Sequence, residues 1–133
     1  MALMKEFGII LFFGFLGHLL TRKAQEWSLS AVRASALAGI LAGLWLQLGG
    51  LEGSLIAASF FGGSFVGMTD PQKFKLKGIF TSTFIFSVAF FFLRKPLNGS
   101  GGLLGFSAFI GVMTCHYFQK LKYIDKVENR SGT

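Results

Sequence analysis

Apolar residues in this chain fall into five long runs, and polar residues lie almost entirely in the gaps between them. The runs cover residues 7–20, 34–48, 54–68, 78–93 and 101–118. None alternates with a period of two, as a membrane barrel strand would. Each is apolar on all sides, so no stripe separates a core face from a wet face, and that pattern predicts spanning helices rather than surface helices. The stops are legible too. Thr21-Arg22-Lys23 closes the first run, Asp70-Pro71 the third, Arg94-Lys95-Pro96 the fourth and Gln119-Lys120-Leu121-Lys122 the fifth. Proline cannot continue a helical ladder, and its ring disfavours a helical residue before it. The first run is short for a hydrocarbon core of about 30 Å. It is expected to stay as a helix, because Glu6 follows Lys5 at once and no small-x-small cleavage site precedes Arg22. Residues 125–133 read as a polar tail, frayed or solvated.

Composition turns this pattern into a fold class. Charged residues make up 14% of the 133 positions and hydrophobic ones 52%. A soluble domain carries about a quarter charged residues, so lipid is expected to be the solvent over most of the surface. The expected fold is all-α: a polytopic integral membrane protein with five transmembrane helices. The gaps also predict orientation, because Lys and Arg gather on the cytoplasmic side. Arg22, Lys23, Arg33, Lys73, Lys75, Lys77, Lys120, Lys122, Lys126 and Arg130 fall on one side, and Lys5, Arg94 and Lys95 on the other. This places the N-terminus outside and the C-terminus in the cytoplasm, in a bacterial inner membrane. The net charge of +7 is then accounted for by that bias and by anionic headgroups, without nucleic acid. Trp27, Tyr117 and Tyr123 suit one interfacial belt and Trp45 the other.

An internal match suggests a duplicated helical hairpin, spans two and three repeated as four and five. Shifted by 48 positions, Ser59-x-x-x-Gly63-x-x-x-Gly67 falls on Ser107-x-x-x-Gly111-x-x-x-Cys115, and Ser35-x-x-x-Gly39 on Thr83-x-x-x-Ser87. Gly53 meets Gly101, Leu55 meets Leu103 and Phe61 meets Phe109. With a one-residue slip, Gln72-Lys73-Phe74-Lys75 meets Gln119-Lys120-Leu121-Lys122. Such repeats would run parallel, about an axis along the membrane normal, with the first span outside the repeat. The matched small residues predict close helix packing, since lipid tails give helices no hydrophobic reason to associate. The phenylalanines of the fourth span, Phe84, Phe86, Phe90, Phe91 and Phe92, are expected to face lipid or to fill against the glycine faces.

Candidate chemistry is sparse. No Asp, Glu, Lys or Arg lies in the middle of a span, which argues against proton coupling through a buried acid. No Walker loop, HExxH or nucleophile elbow is present, and Cys115 is single, so neither an internal disulfide nor a metal-ligand set exists. Two histidines remain, each four residues before a basic residue: His18 before Arg22, and His116 before Lys120. They read as interfacial hydrogen-bonding residues, as a relay near a channel mouth, or as paired haem ligands with Arg22, Lys23, Lys120 and Lys122 near the propionates. The leading expectation is a channel or transporter for a small solute or ion, without a resident cofactor. Its binding or pathway candidates are His18, His116, Ser59, Gly63, Ser107, Gly111, Thr83 and Ser87. The alternatives are a non-transporting accessory or scaffold subunit of a larger membrane complex, and a bis-histidine haem or intramembrane redox protein. Membrane lipid and a second copy, or a larger complex, are the expected partners.

Overall fold

A computed structural model describes residues 1–69, 75–97 and 102–131, without the side chains of 50–52 and 76. It is all-α, with five helices and no strand among the described residues. These are α1 Ala2–Glu26, α2 Ala31–Leu48, α3 Gly50–Gly67, α4 Leu76–Leu93 and α5 Leu103–Ser131. Among the described residues, each apolar run lies on one helix, apart from Met68 and Gly102 at the ends of the third and fifth. Two of the helices, α1 and α2, are long and apolar enough to cross a membrane, while the apolar stretches of α3 and α4, Gly53–Gly67 and Lys77–Leu93, are shorter. The Asp70-Pro71 stop, the matched residues Gln72, Lys73 and Phe74, and Gly101 at the start of the fifth run lie outside the described residues.

The termini depart from the sequence reading for local reasons. α1 begins five residues before the apolar run, at Ala2, and Glu6 within this extension pairs with Arg94 at the far end of α4. α5 passes beyond Phe118 and continues to Ser131. No Gly or Pro follows Gly111 until Gly132, so a helix already nucleated by its apolar half meets nothing that stops it. The polar tail is solvated as expected, but residues 125–131 are helical rather than frayed. The α1–α2 turn contains Ser28 at a φ of 66°. α2 then starts on Ser30, whose hydroxyl accepts from the Arg33 amide at 3.4 Å. Between α2 and α3 the chain turns on Gly49. A Cβ there would lie 2.7 Å from the Gly53 Cα, so close backbone approach requires the glycine.

Consecutive helices alternate in direction. Residue pairs across α1 and α4 run in opposite senses, from Phe7 with Phe91 to Phe15 with Phe80. α4 and α5 do the same, with Gly111 against Ser82 and Cys115 against Gly78. α1 and α3 are parallel: Gly14 meets Gly63 and His18 meets Gly67, at the same offset. The α1–α3 pair is the tightest in the bundle. A Cβ at Gly17 would overlap the Phe60 carbonyl, and one at Gly63 would overlap the Gly14 carbonyl. Small residues thus let two backbones touch. α1 therefore sits centrally, packed on α2, α3 and α4, while among the described residues its backbone does not come close to that of α5.

Two apolar clusters fill the spaces around this pair. Ile10, Val66, Phe86, Phe90 and Ala108 form one, and Ala38, Ala42, Ala57 and Phe60 the other. Phe86 is fully buried, with its ring over Gly14 and Gly62, while Phe84 and Phe92 face outward. Trp45 stands edge-on between Phe13 and Phe60, at 5.5 and 5.2 Å, so it packs α2 onto α1 and α3. Trp27, Tyr117 and Tyr123 are exposed.

Candidate functional site

The matched motifs of the hairpins are used for different contacts. On α3, Gly63 and Gly67 face α1. On α5, Gly111 and Cys115 face α4, where a Cβ at Gly111 would lie 2.6 Å from the Ser82 carbonyl. The sequence match is thus not reproduced as equivalent packing. The serines in these motifs are occupied within their own helices. Ser59 donates to the Leu55 carbonyl at 2.7 Å, Ser87 to Thr83 at 2.9 Å and Ser107 to Leu103 at 2.9 Å. A hydroxyl bonded four residues back is satisfied without water or solute. Ser59, Gly63, Ser87, Ser107 and Gly111 are all buried between helices.

The remaining sequence candidates separate sharply. His18, on α1, is 1% exposed and its Nδ1 lies 2.6 Å from the Thr83 hydroxyl on α4. The two residues were separate candidates in the sequence, and the fold brings them together. His116 is on the exposed side of α5. The histidines therefore share no surface, and the arrangement a bis-histidine haem needs, two imidazoles facing one another across a bundle, is not formed within one copy of the chain.

Around His18 the bundle is polar on one side. Thr21 lies one turn further along α1 and is fully buried. Gly67 faces this stretch, such that a Cβ would stand 3.0 Å from the Thr21 Cβ and 2.8 Å from the His18 carbonyl. Gln25, another turn on, donates to the Gly67 carbonyl at 2.7 Å. Two atoms in this group have no hydrogen-bond partner among the described residues: His18 Nε2 and Thr21 Oγ1. An open groove of about 600 Å³ runs along the α1–α4 seam beside it. Gly8, Phe12, Phe15, Phe80 and Phe84 contribute to its apolar walls, and Thr83 contributes to its lining.

The chain's other cross-helix polar contacts tie elements together. Arg94 pairs with Glu6 and lies over the Phe91 ring at 5.5 Å, which clamps the start of α1 to the end of α4. Ser35 and Ser64 share a buried bond of 2.9 Å between α2 and α3. Thr21 and the Glu6–Arg94 pair were missed in the sequence reading. The pair had a usable signal, since both residues sit at span ends assigned to the same side. Thr21 had none, because it was grouped with the Arg22-Lys23 stop. No family model, curated protein or solved structure matches this chain.

Proposed function

We propose that the chain is a five-span integral membrane protein that moves a small solute or ion, with the His18–Thr83 pair as its polar site. The observation that carries this reading is the burial of His18, the one buried ionisable side chain among the described polar residues of the core, bonded across to a second helix. An ionisable side chain inside a membrane bundle is costly to maintain, so it points to function unless shown otherwise. Charge placement supports the spanning arrangement. Because directions alternate, Arg22, Lys23, Arg33, Lys75, Lys77 and the basic residues of α5 gather at one end of the bundle. Lys5, Arg94 and Lys95 fall at the other. This favours a cytoplasmic C-terminus in an inner membrane. α2, α3 and α4 have 18 residues each, about 27 Å at 1.5 Å per residue, close to the thickness of a bilayer.

Flux into liposomes, with and without a pH gradient, tests the proposal. His18→Gln and Thr83→Val should each reduce flux strongly, while His116→Gln should leave it unchanged. Equal flux in wild type and both site variants would remove His18 from the pathway.

A second reading has its own support. Phe60, Phe86 and Phe90 fill the interior, and the small residues of α3 are taken up in packing on α1, which favours an accessory or scaffold subunit. In that role the exposed end of α5 would meet a partner. Purification decides between them: a stable, self-sufficient homo-oligomer favours transport, and dependence on a co-purifying protein favours the subunit role.

A further inference from the structure

Among the buried hydroxyls, Thr21 stands apart. Ser59, Ser82, Ser87 and Ser107 each bond a carbonyl four residues back in their own helix, and Ser35 and Ser64 bond one another. Thr21 has no partner among the described residues, although none of its surface is exposed. The same holds for Nε2 of His18. The two side chains are three residues apart on one helix, which makes them neighbours on the same face. Two unmet polar atoms, each expensive to bury, therefore fall within one turn of each other. Gly67 packs its backbone closely against this turn, where its own Cβ would stand 3.0 Å from the Thr21 Cβ, so α3 shields both atoms from the outside.

We propose that His18 Nε2 and Thr21 Oγ1 together hold a buried water molecule, bridging them inside the α1–α3–α4 junction. Thr83 donates its hydroxyl proton to His18 Nδ1, which leaves the ring proton on Nε2. That N–H donates to the water, and the water donates to Thr21 Oγ1. One molecule with two to four partners satisfies both orphaned atoms at once. The occupant is neutral. Among the described residues the buried polar set is made of hydroxyls and one imidazole, with no carboxylate, so a cation would sit there uncompensated. The water gives the imidazole an exchange partner within the protein, and its presence does not depend on whether the chain transports anything.

Magnetic resonance of the full-length protein in lipid nanodiscs, labelled with 15N-histidine, tests this directly. Polarisation should pass from water to the Nε2–H of His18, and the His18 signal should be that of the Nε2-protonated tautomer. Infrared difference spectra in H2(18)O should show a shifted O–H band from an internal water. That band should persist in Thr21→Ser, which keeps the hydroxyl, and vanish in Thr21→Val, which keeps the shape. Absence of water-to-Nε2 transfer in the wild type would overturn the proposal, whatever the variants do. An unchanged band in a folded Thr21→Val protein would overturn it as well. Liposome flux reads a separate quantity, so loss of the transport reading would leave this result standing, and the reverse.

Discussion

Glycine positions in this chain differ by what stands opposite them, and substitution should reveal the difference. Gly63 faces the Gly14 carbonyl with no room for a Cβ, whereas Gly43 has nothing within 4 Å of where its Cβ would be. Gly63→Leu should therefore destabilise the bundle by at least the ~1–3 kcal/mol typical of overpacking, seen as a lower melting temperature in detergent. Gly43→Leu should melt as the wild type does. Equal melting of the two would mean that α1 and α3 are not in backbone contact. The same scale shows what the sequence could carry. Spacing four marked Ser59, Gly63 and Gly67 as a packing face, correctly. It could not say that the face meets α1 rather than α2, because which helices touch is fixed by the whole bundle. His18 and Thr83 were each visible as polar residues in apolar runs, but their pairing depends on the antiparallel register of α1 and α4. Thr21 was hidden because a threonine before Arg22-Lys23 reads as a helix end, whereas α1 runs on to Glu26.

Among the elements, the periodless apolar runs foretold five helices, and their ends were less legible. An apolar run reports where lipid or core is needed, not where the backbone stops being helical. Hence α5 outlasts its apolar half, and residues 120–131 are exposed throughout. This extension makes a clear prediction. Ending the chain after Gln119 should leave the melting temperature close to that of the wild type, since exposed positions each change stability by only about 0.5 kcal/mol or less. A large loss would show that the extension packs against the bundle or a second copy. The clamp between α1 and α4 behaves differently. Glu6→Gln removes the charge that meets Arg94, a partly exposed pair with Phe91 beneath the guanidinium. A pair of this exposure contributes about 0.2–1 kcal/mol. A double-mutant cycle with Arg94→Gln should return a coupling in that range in low salt, shrinking as salt rises.

For the whole molecule, what matters is which end of the bundle faces which side of a membrane, because the proposed route of a solute is defined by it. The alternating directions of α1 to α5 put the ends of α1 and α5 at opposite ends of the bundle, so the proposed five spans would set the two termini on opposite sides of a membrane. In the proposed arrangement, the basic residues at the ends of α1 and α5 and the starts of α2 and α4 would select the cytoplasmic end. Single-cysteine variants made in a Cys115→Ala background should be labelled by an impermeant thiol reagent from outside at position 98 in place of Asn98. A cysteine in place of Ser131 should react only after the cells are opened. Ser131 ends a fully exposed helical extension, so its protection in intact cells would reflect the membrane and not burial. Labelling of both positions from the same side would break the arrangement, since an even number of crossings would then separate the N-terminus from the C-terminus or a helix would lie outside the bilayer. Reaction of Ser131 from outside and Asn98 only from inside would keep the five spans but invert them. It would also place His18 and Thr21 in the outer half of the membrane.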